Sequence, residues 1–207
     1  KFTDNTVDSN TAPPPAQGAV RIGGTISASA GATSTISGNT ITNNGVSGTN
    51  AGPLRVAVSS PGMTIYITDN TITGNYGYDF GGIGASLQGT GSNMVISQNE
   101  ITDNFGRGID ISNNNVTDSA VTITDNLIKG NSKEGIAAMA RDGGNITISS
   151  NQIISNQGGG VKARGSNSNP ASYINVTNNI IYGNSVSAVP GGAAIWIDQG
   201  RDVTDDL

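Results

Sequence analysis

Ile67-Thr68-Asp69-Asn70-Thr71-Ile72-Thr73-Gly74-Asn75 decides the fold. Its apolar and amide positions follow the pattern Ile-x-x-Asn-x-Ile-x-x-Asn, and that pattern recurs along the chain. Earlier copies are Phe2, Asn5, Val7 and Asn10, then Ile36, Asn39, Ile41 and Asn44. Later copies place the first Asn at Asn99, Asn126, Asn151 and Asn179, and the second at Asn104, Asn131, Asn156 and Asn184. An eighth begins at Val203 with Asp206 in the Asn place. Successive first asparagines from Asn5 to Asn179 lie 34, 31, 29, 27, 25 and 28 residues apart. Seven matches at four fixed offsets mark a repeat architecture, which must be read before any local feature.

A looser element sits between copies. After the second Asn and a Gly-rich stretch comes an alternating segment. Leu54-Arg55-Val56-Ala57-Val58, Gly108-Ile109-Asp110-Ile111, Gly160-Val161-Lys162-Ala163-Arg164 and Ala194-Ile195-Trp196-Ile197-Asp198 are examples. Each unit therefore holds three short strands, because the alternation has period two and no segment has the length or period of a helix. One such unit cannot bury a core. Stacked coils can, because the inward Ile and Val of each meet those above and below. The expected interior rows are Phe2, Ile36, Ile67, Ile96, Ile123, Ile148 and Val176, then Val7, Ile41, Ile72, Ile101, Ile128, Ile153 and Ile181. Asn tolerates left-handed backbone better than most non-Gly residues, and its amide can bond along its own row. The repeated asparagines Asn5, Asn39, Asn70, Asn99, Asn126, Asn151 and Asn179 are thus expected both to make the turn and to form a structural ladder.

Composition narrows the chemistry. The 207 residues include 30 Gly and 25 Asn but no Cys and no His. Disulfides, Cys/His metal sites and any His-based catalytic triad are excluded. Net charge is −5 with no basic run, which argues against nucleic acid, and no apolar stretch approaches the roughly 18 residues of a membrane span. No signal peptide stands at Lys1, so a mature secreted chain or an excised segment is expected, extracellular or at the cell surface.

The repeat resembles that of right-handed parallel β-helix proteins, the type found in pectate lyases, alginate epimerases, phage tailspikes and bacterial surface adhesins. The resemblance implies an all-β, right-handed parallel β-helix; the copies give about seven coils in a single domain over 1–207, expected to be uncapped at both ends because the chain opens inside the motif at Phe2 and closes inside it at Leu207. It also implies that any cleft lies on the face of the third strands. Alternation there turns Arg55, Asp110, Lys162 and Trp196 outward in one row and Ser86, Ser112, Met139, Arg164 and Asp198 in the next, with Gln88 and Arg141 beyond. Arg141, Lys162, Arg164, Trp196 and Asp198 form a candidate carbohydrate or contact patch: an indole stacks on a sugar ring, and guanidinium forks pair with carboxylates.

Catalysis is not expected. Asp110 and Asp198 stand three coils apart, roughly 14 Å at a β-sheet spacing, too far to share one ion, and no adjacent coils supply a carboxylate pair. Tyr76-Gly77-Tyr78-Asp79-Phe80 resembles the Tyr-Gly-Phe-Asp-Pro-His motif of alginate epimerases, but Phe80 holds the Pro place and no His follows. It reads as a loop between strands. Ca²⁺ on Asp202, Asp205 and Asp206 is conceivable on charge alone, and no cofactor is expected. A Thr-rich ice-binding face starts at Thr40/Thr42 and Thr71/Thr73 and is broken by Glu100, Lys129 and Tyr182. The expected function is structural or adhesive, with like subunits stacked end to end or a segment of a longer surface protein. The alternative is a module that binds or acts on acidic polysaccharide.

Overall fold

The computed structural model describes residues 1–10, 20–22, 31–45, 52–114, 117–165, 171–185 and 194–199. These form a parallel β-solenoid of three sheets, each of seven strands, with every coil giving one strand to each sheet. Coils are numbered here by their first ladder residue, from coil 1 with Asn5 to coil 7 with Asn179. The first sheet stacks Phe2–Thr3, Thr33–Ser37, Thr64–Thr68, Asn93–Ser97, Ala120–Thr124, Asn145–Ser149 and Tyr173–Thr177. Three-residue strands form the second sheet, from Thr6–Asp8 through Glu100–Thr102 to Ile180–Tyr182. The third runs Val20–Ile22, Leu54–Val58, Tyr76–Leu87, Phe105–Asn113, Ile136–Ala140, Val161–Gly165 and Ile195–Gln199.

Registers in the first two sheets are unbroken: Ile36, Ile67, Ile96, Ile123 and Ile148 pair in sequence, as do Ile41, Ile72, Ile101, Ile128 and Ile153. All ten are buried, while Phe2, Val7, Val176 and Ile181 of the two outer coils pack half-covered against them. The third strands add Leu54, Ile83, Ile109, Ile136 and Val161 to the same core. A glycine precedes the first core residue (Ile83, Ile109, Ile136 and Val161) of four of these strands for a steric reason. A Cβ at Gly108 would stand 2.6 Å from the Gly135 carbonyl oxygen and 2.6 Å from Ile128 Cγ2, and Gly82, Gly135 and Gly160 meet equivalent contacts.

Two columns of asparagine bind the coils to one another. Asn99 shows the pattern. Its backbone N–H donates to Asn126 Oδ1 at 3.0 Å, and its Nδ2 donates to the same oxygen at 2.9 Å. Nδ2 also donates to Ile67 O one coil back at 2.9 Å and to Ser97 O in its own coil at 3.0 Å. The second column repeats this from Asn10 to Asn184. The ten ladder asparagines of coils 2–6 are at most 2% exposed. So buried an amide must have its donors and acceptor satisfied, and these do.

The left-handed backbone is not at the ladder asparagines but at the residue before each. Asp4, Gly38, Asp69, Gln98, Asp125, Ser150 and Asn178 precede the first column, and Ser9, Asn43, Gly74, Asp103, Gly130, Ser155 and Gly183 precede the second. Every one has φ between 53° and 69°. The reversal is completed one residue early, so that the Asn side chain enters the interior instead of leaving the corner. Ten of the fourteen are not glycine, at a cost of about 1 kcal/mol each, which the ladder holds in place.

Replacing Asn126 by Leu strands the Asn99 donors and the Ile96 and Thr124 carbonyls in a dry interior. It is expected to lower stability to urea by at least about 3 kcal/mol. Asn5→Leu, in a half-exposed position that water reaches, is expected to cost about 1 kcal/mol. Equal losses at the two positions would contradict the burial argument.

Candidate functional site

The third sheet carries the chemistry. Its central row aligns Arg21, Arg55, Gly84, Asp110, Ala137, Lys162 and Trp196 in register, and the side chains of Arg55, Asp110, Ala137, Lys162 and Trp196 face outward. The next row reads Ala57, Ser86, Ser112, Met139, Arg164 and Asp198. Two positions of the central row, Gly84 and Ala137, are notches. The Phe80 ring fills the first, lying 3.4 Å from where a Gly84 Cβ would be, with the Arg55 guanidinium 5.2 Å above that ring. The second stays open. Over Ala137 lies a pocket of about 100 Å³ lined by Arg107, Asp110, Met139, Lys162 and Arg164 among others.

An ionic network fences the pocket. Arg107 Nη1 donates to Asp110 Oδ2 at 2.6 Å and its Nε to Glu134 Oε2 at 3.0 Å. Lys162 Nζ lies 3.8 Å from Glu134 Oε1 and 4.3 Å from the Trp196 ring centroid. Lys133 Nζ reaches over coil 4 to Asp79 Oδ1 at 3.0 Å. Burial holds the Asp110 carboxyl above the ordinary Asp range, with the Arg107 charge opposing and those of Asp79 and Glu134 adding to the rise. Seven of the ten Lys and Arg stand on third-sheet strands or in the segments that border them, against five acids there. Elsewhere among the described residues two bases meet seven acids, so an acidic chain presents a cationic sheet.

Lys162, Arg164 and Trp196 of the expected patch do converge. Arg141 follows the strand Ile136–Ala140, is exposed and does not line the pocket. Asp198 pairs in register with Arg164, but its side chain lies outside the described residues, as do Asp202, Asp205 and Asp206 altogether. The expectation that no adjacent coils bring carboxylates together on this face is overturned. Asp110 and Glu134 share the Arg107 guanidinium, so their separation stays below the roughly 10 Å upper limit of carboxylate pairs that act on one glycosidic bond. Arg107 escapes the alternation rule because the rule slips there, and Glu134 because it precedes the strand Ile136–Ala140. Between coils 3 and 4 the register shifts twice, from Phe105/Tyr76 to Arg107/Phe80 to Ile109/Ile83. Counting back from Asp110 would turn Arg107 inward; the slip turns it out. The Tyr76–Phe80 segment is likewise no loop: it is a bulged part of the twelve-residue strand Tyr76–Leu87. Bulges re-aim side chains in this way.

Among the described residues no group of three or more Asp and Glu could hold a metal ion, and no helix is long and apolar enough to cross a membrane. A family model described as "Right handed beta helix region" matches residues 1–173. The chain belongs to this right-handed β-helix family. No curated protein and no solved structure matches it.

Because the folded Asp110 carboxyl binds its proton more tightly than the unfolded one, the fold carries an extra proton just above the ordinary Asp range. Stability from this group is full below that range and is lost as pH rises through the raised value. Asp110→Asn removes this dependence. Thermal unfolding of the two proteins from about pH 3.5 upward is expected to show wild type losing ground to the variant as pH rises; parallel curves would contradict it.

Proposed function

We propose that the chain is an extracellular rod of structural or adhesive role whose third sheet binds an acidic polysaccharide without cleaving it. One observation carries the reading: the open notch over Ala137, where Arg107, Lys162 and Arg164 surround a space of about 100 Å³ beside a Trp-stacked ammonium. A uronate carboxylate fits that space, since guanidinium forks match planar carboxylates and the flanking indole offers a face to the sugar ring. Binding is favoured over turnover because the two nearby carboxylates, Asp110 and Glu134, are already engaged by Arg107 and Lys162.

A second reading, stacking on like subunits, has its own observation. Ile195 and Ile197 of coil 7 are 40% and 61% exposed, whereas Val161 and Ala163 at the same positions one coil back are buried. A further coil of like sequence, from this chain's own continuation or from a like subunit, would cover them. Sedimentation that grows with protein concentration is expected; a constant monomer coefficient contradicts stacking.

The binding reading is tested by calorimetry with polygalacturonate and alginate. Wild type is expected to bind, more weakly as salt rises from 50 to 300 mM or so. The double variant Lys162→Ala/Arg164→Ala should lose at least about tenfold in affinity. Undiminished binding by the double variant, or release of shortened or unsaturated sugars by wild type, would overturn the reading.

A further inference from the structure

Phe105 is 49% exposed, the most exposed large apolar side chain described outside coil 7. One face is covered: the Tyr76 ring lies parallel to it, centroids 4.0 Å apart and planes within 4°. Tyr76, Phe105 and Ser132 occupy the same place in coils 3, 4 and 5, each donating its backbone N–H to the second ladder Asn of the coil before. The other face of Phe105 therefore looks along the stack toward Ser132, whose side chain is too small to cover it. Two rings stand in a column whose third step holds only a hydroxymethyl group.

The column also borders the cationic groove. Arg107, two residues along the strand from Phe105, lines the pocket over Ala137, and Lys133 and Glu134 follow Ser132 directly. We infer that the step over Ser132 is a stacking subsite for a pyranose of the same acidic polysaccharide, separate from the carboxylate notch. The inference rests on the binding reading above. A pyranose fits because it presents an apolar C–H face to Phe105 while its hydroxyls stay in solvent beside the Lys133–Asp79 and Arg107–Glu134 ion pairs. The column supplies ring-stacking area and the notch supplies charge, so a long oligomer uses both and a short one only the notch.

The experiment measures binding of digalacturonate and hexagalacturonate by calorimetry to four proteins: wild type, Phe105→Ala, Ser132→Phe and Lys162→Ala. Phe105→Ala should weaken the hexamer about fivefold and leave the dimer unchanged. Ser132→Phe extends the protein's own stack into the subsite; it should weaken the hexamer equally while raising Tm, a pairing that misfolding cannot mimic. Hexamer binding unaltered in both variants, with Lys162→Ala impaired, would overturn the subsite and leave the groove reading standing. Equal loss of dimer and hexamer in Phe105→Ala would also overturn it, since the platform would then belong to the notch. If Lys162→Ala binds both sugars like wild type, the groove reading itself fails.

Discussion

Everything in this molecule depends on a side-chain amide buried at each of two corners. A coil of three short strands has no core of its own and closes only against its neighbours. The corner between strands needs a left-handed residue, and the backbone on either side loses regular ladder partners there. Asn supplies both an acceptor for the preceding coil's backbone N–H and donors for carbonyls in its own and the preceding coil. Gln would overreach, and Asp would set oxygen against oxygen. The strain at the ten non-glycine left-handed residues is thereby distributed along two columns, and those of coils 2–6 have a coil on either side.

Fixed corners fix registers, and registers place the functional groups. Asp110, Ala137 and Lys162 share a row because Asn104, Asn131 and Asn156 hold their coils in step. What varies is added between corners. Coil 3 carries three more residues than coil 4 between Tyr76 and Ile83, and that excess swings Phe80 into the Gly84 notch and Asp79 toward Lys133. Coil 5 has no such bulge, so the Ala137 notch stays open. The scaffold is periodic; the site is an interruption of the period.

This division explains what the sequence reveals. The ladder columns, the interior isoleucines and the rows Asp110–Lys162–Trp196 and Met139–Arg164 are legible because they lie where the repeat is strict. Alternation is reliable inside a strand whose partners keep register. It fails at Arg107, where the register slips and a residue counted as inward faces out, and it does not reach Glu134, which precedes the strand Ile136–Ala140. The left-handed turn is displaced by one residue from Asn for a related reason: one composition suits both corner and ladder, and only backbone geometry tells which residue does which. Asp, Ser, Gln, Gly and Asn all serve in the turn, whereas only Asn serves in the described ladder.

The central claim is that a cationic notch, left open by one small residue in a regular row, receives a uronate carboxylate. The most direct measurement is a crystal structure of the protein soaked with trigalacturonate. The account predicts a carboxylate above Ala137 within hydrogen-bonding distance of Arg107, Lys162 or Arg164. Sugar density on the first or second sheet, with that notch empty, would contradict it.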